Sequence, residues 1–256
     1  MSSKTTINGI FANIMDEIKY PIRINRYLYL KGFCSRRKAD QLIKCGDILI
    51  NGKVATLGEK VLANDNVTVG KKVKKLTSEY KYFLYHKPRG IVSHNPQSGE
   101  KSIEDVSGLG KNFFPVGRLD KASHGLMLLT NDGRIVNSLL SPEFAHEREY
   151  VVKVDKKITN NFISWLKRGV NIEGYITKQS SARKVNDFIF NITLTEGKKH
   201  QIRRMTAALG YQVEDLKRIR IMDLTLNNIE EGKSKEFSKR EKTALLKALS
   251  VPEIHN

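Results

Sequence analysis

Apolar residues Ile24, Tyr27 and Leu28 fall at the i, i+3, i+4 spacing of one helix face, and Gly32 is suited to end that helix. Ser35 then offers an N-cap for a second helix, in which Ala39, Leu42 and Ile43 repeat the spacing before Gly46 closes it. Ile48-Leu49-Ile50 and Val67-Thr68-Val69 read as strands. Asn51-Gly52, whose residues both tolerate positive φ, is a strong hairpin signal after the first of them. Residues 21–70 therefore predict two short helices followed by a small sheet.

Farther along, the pattern changes. Tyr82-Phe83-Leu84-Tyr85 reads as a buried strand running into a turn at His86-Lys87-Pro88-Arg89-Gly90. Phe113-Phe114-Pro115-Val116, Leu126-Met127-Leu128-Leu129-Thr130 and Glu149 to Val154 give further strands, and Asn131-Asp132-Gly133 a turn. Phe188, Phe190, Ile192 and Leu194 alternate with Ile189, Asn191, Thr193 and Thr195, which is strand periodicity. Ile202, Met205 and Leu209 mark a helix over 200–209, ended by Gly210. Many strands with interspersed helices in no repeating βαβ order predict an α+β body.

Charge sharpens this division. The 256 residues carry a formal net charge of +18. Residues 1–20 are neutral, residues 21–79 hold 13 basic and 5 acidic side chains, and residues 80–256 hold 30 and 20. The expected organisation is an N-terminal extension (1–20), a basic module (21–70), a lysine-rich linker (71–79), a large module (80–250) and a tail (251–256). The excess of positive charge favours a polyanionic partner. No apolar run approaches the roughly 20 residues that cross a bilayer, so no membrane association is expected. No secretory leader is apparent, and Cys34 and Cys45 read as small buried hydrophobes in a cytoplasmic protein. Six scattered histidines show no H-x-x-x-H spacing, so no metal site is expected.

Two local patterns carry chemistry. Arg36, Arg37 and Lys38 crowd the first turn of a helix, where the positive end of the dipole repels them unless an anion sits there. Arg118 and Asp120 lie in a Gly-flanked loop between apolar strands, where a carboxylate is a candidate nucleophile or base. Taken alone, each pattern is more simply a solvated basic face or a structural ion pair.

The wider context reverses that weighting. Arg23-Ile-Asn-Arg-Tyr-Leu, Cys34-Ser-Arg-Arg-Lys-Ala-Asp and Gly46-Asp-Ile-Leu-Ile-Asn-Gly-Lys53 together resemble the S4 RNA-binding domain. Gly117-Arg-Leu-Asp-Lys-Ala-Ser-His-Gly-Leu126 resembles the G-R-L-D motif of pseudouridine synthases. Lys87-Pro88-x-Gly90, Glu149-Tyr150 and Gly197-Lys-Lys-His-Gln-Ile-Arg-Arg-Met205 resemble that family's other motifs, in the family's order. The chain is identified as a member of the RsuA-like branch of ribosomal-RNA pseudouridine synthases. Arg218-x-Arg220-Ile-Met222 and Asp120-Lys121-x-Ser123 look closest to its 23S rRNA subgroup F. After Met222 the chain departs from the branch, which bears on the choice of substrate.

The resemblance implies a small αα-β S4-like domain, then a catalytic domain with a mixed, largely antiparallel central sheet flanked by helices. It implies isomerisation of uridine in structured 23S rRNA by base flipping, glycosidic cleavage, base rotation and C–C bond formation. Transfer RNA stays open as a second substrate, and a monomer is expected. Asp120 would act at the ribose, either attacking C1′ or removing a C2′ proton. Tyr150 would stack on the uracil, and Arg203 would pair with Asp120 and keep it ionised. Arg118 would occupy the place of the flipped base, as its planar guanidinium can stack. Lys87 and Ile202 would support the site, while Arg36, Arg37, Lys38, Lys198, Lys199 and Arg204 would meet RNA. No cofactor is implied, because the product is an isomer. The competing reading is a non-catalytic S4-domain factor that binds RNA or the ribosome. A pure binder has no need of Asp120, Tyr150 and Arg203 together.

Overall fold

A computed structural model describes residues 19–31, 33–70, 80–110 and 112–251. The helix end expected at Gly32, the basic run 71–79 and most of the extension and tail lie outside the described residues. The chain divides into two compact units. One takes the N-terminal part through Tyr80, Asp132–Ser138 and the stretch from Ser238; the other takes Lys81–Asn131 and Leu139–Phe237.

The smaller unit begins with β1 (Ile22–Arg23), α1 (Ile24–Leu30) and α2 (Arg36–Lys44). Short strands β2 (Ile48–Ile50), β3 (Lys53–Val54), β4 (Lys60–Val61) and β5 (Val67–Val69) follow. β3, β2 and β5 form an antiparallel sheet and β1 pairs with β4. Ile24, Leu28, Ala39, Leu42, Ile43 and Ile48 are buried in one core, as the helical spacing predicts. Ser35 caps α2 by accepting the Lys38 N–H at 3.3 Å. Asn51 and Gly52 take φ of 51° and 79°, the conformation a two-residue β2–β3 turn requires. Cys34 is buried, and burial pushes its thiol up to about 12. Cys45, expected to be buried too, is exposed, because it is the C-cap of α2, beyond the apolar stripe.

Later parts of the chain complete this unit. Arg134 and Asp132 form a buried ion pair at 2.8 Å. The Arg134 guanidinium lies 4.6 Å from the centre of the Tyr80 ring, and its carbonyl accepts the Tyr29 hydroxyl at 3.3 Å. The C-terminal helix Lys239–Ala248 is closed by a capping box between Ser238 and Glu241, and its Lys242 donates to the Tyr80 carbonyl at 3.0 Å.

The larger unit is built on a nine-stranded sheet. Its strands are β6 (Tyr82–Lys87), β7 (Phe114–Val116), β8 (His124–Thr130), β9 (Arg148–Val154), β12 (Ser181–Lys184), β13 (Ile189–Leu194), β14 (Val213–Ile221), β15 (Leu224–Thr225) and β16 (Ser234–Glu236). The main order is β12-β13-β9-β14-β8-β6-β16, with β15 beside β14 and β7 beside β8. Every pairing is antiparallel except β14 with β8. β10 (Asn171–Ile172) and β11 (Tyr175–Ile176) make a separate hairpin. Helices α3 (Ile103–Val106), α5 (Asn160–Arg168) and α6 (Gln201–Ala208) lie between strands of this unit in sequence, whereas α4 (Ile135–Leu140) belongs through Ser138 to the smaller unit. The molecule is thus α+β with a mixed, largely antiparallel central sheet.

β6 and β8 are buried at every residue, as expected of near-continuous apolar strands covered on both faces. One core gathers Val152, Phe162, Leu166, Phe190, Ile202 and Met205; another gathers Phe83, Tyr85, Leu119, Met127 and Leu129. Tyr150 packs against both. Two expectations shift. The strand at Tyr82 continues through Lys87, so the turn is confined to Arg89-Gly90. Phe188 lies outside β13 and is exposed, since Asn186 bonds the backbone there into a turn.

At the parallel contact, Gly125 faces Arg218. Its φ is +113°, and any Cβ would fall on the Arg218 carbonyl oxygen, so this close approach of β8 to β14 requires glycine.

Candidate active site

The loop from Gly117 to Ser123 joins β7 to β8 and is held rigidly from below. Lys87, the last residue of β6, is fully buried. Its Nζ donates to the carbonyls of Ser123 at 2.8 Å, Pro88 at 2.9 Å and Asp120 at 3.3 Å, matching the three N–H bonds of an ammonium. Burial pushes Lys87 down to about 8; Asp120 opposes this and Arg218 adds to it. The Ser93 hydroxyl donates to the Leu119 carbonyl at 2.7 Å and accepts the Leu119 N–H at 3.0 Å. Gly90 N–H donates to the Lys121 carbonyl at 2.8 Å.

This anchoring leaves the Asp120 side chain at the surface, 34% exposed, with its carboxylate 3.5 Å from His200 Nε2. His200 is the N-cap of α6 and has a φ of 52°. Arg203, expected to pair with Asp120, instead donates to Ser123 Oγ at 3.3 Å, the Ala122 carbonyl at 3.5 Å and the Val213 carbonyl at 3.2 Å. The helix thus meets the loop just beyond the aspartate. Arg118 has an exposed side chain, and its carbonyl accepts from the buried Arg218 at 3.4 Å. Arg218 also donates to the Leu126 carbonyl at 2.7 Å and is the register partner of Tyr150 across β14 and β9. Tyr150 is half-buried.

Lys87, Asp120 and Arg203 therefore converge on one loop, and Arg218 ties that loop to the strand bearing Tyr150. Ile202 is buried in the core, as expected on packing grounds. Lys198 and Lys199 are exposed, with Lys198 Nζ lying 4.4 Å from the centre of the Tyr175 ring. Arg204 is engaged by Glu173 at 2.7 Å and the Ile172 carbonyl at 3.1 Å, which ties it to the β10–β11 hairpin. In the smaller unit, Arg36 and Arg37 are exposed in the first turn of α2, which holds no acidic residue.

Sequence reasoning missed His200, Ser93 and the role of Arg218, all of which act through contacts distant in sequence. It also missed a polar cluster beside the loop. Asp215 pairs with Arg89 and with His124 Nε2 at 3.1 Å, and the rings of His86 and His124 stack 5.8 Å apart. Burial holds His124 below its ordinary value, against the pull of Asp215. Burial pushes Asp215 up, but His124 and Arg89 outweigh it and hold the carboxyl below its usual range. His86, His124 and Glu231 each present one ligand atom within 4.8 Å of the others. Among the described residues, no helix is long and apolar enough to cross a membrane.

Comparison with known proteins adds independent findings. Residues 81–208 match the family model of RNA pseudouridylate synthase, and residues 22–67 match the S4 domain. The dual-specificity RNA pseudouridine synthase RluF of Escherichia coli K12 is 41% identical over 89% of this chain and 79% of its own. The ribosomal large subunit pseudouridine synthase B of Bacillus subtilis is 36% identical over 86% of this chain and 93% of its own. A crystal structure of a pseudouridylate synthase superposes with a TM-score of 0.65 at 26% identity, covering 89% of this chain and 99% of that one.

Proposed function

Because the chain belongs to the RNA pseudouridylate synthase family, we propose that it isomerises a uridine in a structured region of 23S rRNA to pseudouridine. The observation that carries the reading is Asp120: its backbone is fixed by buried donors while its carboxylate stays open to solvent. A nucleophile or base must be held within a fraction of an ångström yet remain reachable.

Uridine must leave its stack for the ribose C1′ and the base C5 to be reached together. Arg118, exposed on the same loop, takes the vacated position. Asp120 acts at the ribose as the bond to N1 breaks; the base rotates, C5 joins C1′, the C5 proton leaves to solvent and N1 takes up a proton, so the product is an isomer. Tyr150, which packs against both cores, supports the uracil and the C5 proton transfer. Arg203 is a positioning residue for the 120–123 loop, consistent with its bonds to Ala122 and Ser123. Lys87 fixes the same loop from the core, and Ile202 orients α6 by packing.

The S4-like segment, within residues 21–70, supplies affinity. Arg36, Arg37 and Lys38 meet phosphates at the start of α2, where an anion also satisfies the free N–H groups of the helix. Lys198 and Lys199 add backbone contacts, while Arg204 acts through the hairpin it holds. The name of the Bacillus subtilis relative supports a ribosomal large-subunit substrate, and the term dual-specificity in the other name supports a trial of a second RNA, for which transfer RNA is used.

The test is tritium release from C5-labelled uridine in transcribed 23S rRNA and in transfer RNA. The wild type should release tritium from the 23S transcript, and Asp120→Asn should not. Equal release from both proteins, or none by the wild type on any RNA, counts against the assignment.

A further inference from the structure

Two histidines of the larger unit carry lone pairs that no other group among the described residues uses. His86 Nδ1 lies 2.8 Å from the Ile229 carbonyl oxygen. A carbonyl only accepts, so Nδ1 bears the proton and Nε2 is bare. His124 Nε2 lies 3.1 and 3.3 Å from the two Asp215 oxygens and 3.3 Å from the Arg89 guanidinium. Arg89 is already held by Asp215, and the carboxylate only accepts, so Nε2 bears the proton and Nδ1 is bare. Both bare nitrogens, His86 Nε2 and His124 Nδ1, are buried and have no hydrogen-bond partner among the described residues. The residues themselves are 6% and 9% exposed. Two unsatisfied imidazole nitrogens in one cluster call for an explanation, because buried polar atoms are normally paired.

A third donor stands beside them. The Glu231 carboxylate is within 4.8 Å of a ligand atom of each histidine. Its segment is stitched to β6, with Gly232 N–H donating to the His86 carbonyl at 2.8 Å and His86 N–H to the Lys233 carbonyl at 3.0 Å. We propose that His86 Nε2, His124 Nδ1 and a Glu231 oxygen bind one zinc ion, with water in the fourth position.

The donor set of two imidazoles and one carboxylate suits zinc. The ring centroids are 5.8 Å apart with the ring planes 17° from parallel, so one ring turns about its side chain to bring both lone pairs onto the ion. Two imidazoles sharing an ion at ~2.0–2.1 Å from each nitrogen hold their centres about 5–6 Å apart. The Ile229 carbonyl and Asp215 are the kind of outer partners that fix the tautomer of metal-bound histidine. The charges around the cluster are the carboxylates of Glu231 and Asp215, the Arg89 guanidinium and, coupled to Glu231, the Lys87 ammonium. They balance, so the ion is held by its three donors and not by an excess of negative charge. His86 precedes Lys87 and His124 follows Ser123, so the ion clamps the two strand ends that Lys87 already joins.

The 256-residue chain, freed of metal, is titrated with ZnCl2 against a chromophoric chelator and with CoCl2 followed by visible absorption. One equivalent should bind, and cobalt should give the intense bands of a four-coordinate site. His124→Gln and Glu231→Gln should each weaken binding by roughly tenfold or more, and His146→Gln should leave it unchanged. No binding by the wild type, or one equivalent that persists undiminished in both His124→Gln and Glu231→Gln, overturns the proposal. Glu231 is exposed, so its variant keeps the test decisive even if the His124 variant fails to fold.

Discussion

Replacing Lys87 with methionine separates two forces that act on the same nitrogen. The side chain is fully buried and donates to three carbonyls. In Lys87→Met, the Asp120 carbonyl keeps the Ser123 N–H at 2.9 Å, while those of Pro88 and Ser123 lose the ammonium. Two bared carbonyls cost about 2–6 kcal/mol. Against this, methionine relieves the burial of a charge. Burial lowers the lysine from 10.5 to about 8, which amounts to about 3 kcal/mol at neutral pH. The variant should therefore be less stable by no more than about 3 kcal/mol at pH 7. The pH dependence is more telling. Between about 8 and 10.5 the unfolded lysine still holds its proton while the folded one has released it. The unfolded state then binds more protons, so wild-type stability rises with pH in that window. The variant lacks this rise, so from pH 7 to 9.5 the gap in favour of the wild type should widen by about 2 kcal/mol. Urea denaturation of both proteins at the two pH values measures it. A constant gap, or one that narrows, would refute the argument that burial outweighs the carbonyl bonds in setting the proton affinity of Lys87.

Two further outcomes follow from the same structure. Gly125→Ala drives a Cβ onto the Arg218 carbonyl at a φ of +113° and should cost about 3 kcal/mol or more. It is read as a lower urea midpoint, and a wild-type midpoint would count against the close approach of β8 to β14. Arg36→Gln with Arg37→Gln removes two exposed charges from α2 and should reduce the slope of log affinity against log salt by roughly 1.5. Filter binding of a 23S rRNA fragment over a salt series measures this, and an unchanged slope would show that these arginines do not meet phosphate.

How much was legible in the sequence depended on how local the cause was. The α2 helix could be read because its cap, Ser35, and its stripe, Ala39, Leu42 and Ile43, lie within nine residues of one another. The Asn51-Gly52 turn was legible because its φ angles demand those residue types. Motif order brought Asp120, Arg118, Lys87 and Arg203 to notice, but not their contacts. Lysine is rarely buried, and the carbonyls that make its burial tolerable come from Asp120 and Ser123 on another strand connection. Arg203 was expected at Asp120, yet the loop carbonyls and Ser123 Oγ take its N–H groups. The histidines looked scattered because their proximity arises from sheet pairing, in which His86 lies on β6 and His124 opens β8. Phe188 misled because alternation continues past the point where Asn186 turns the chain.

The smaller unit has a further consequence for the order in which the molecule matures. It draws on three separate stretches of chain: the described residues up to Tyr80, Asp132–Ser138 and the segment from Ser238. Synthesis releases these at widely different times. Tyr80 emerges before Arg134 exists to cover its ring, and long before Lys242 reaches its carbonyl. By contrast, the final strand of the large sheet, β16, is translated ahead of the C-terminal helix. The growing chain thus holds every strand of its larger unit before the last helix of its smaller unit has been made.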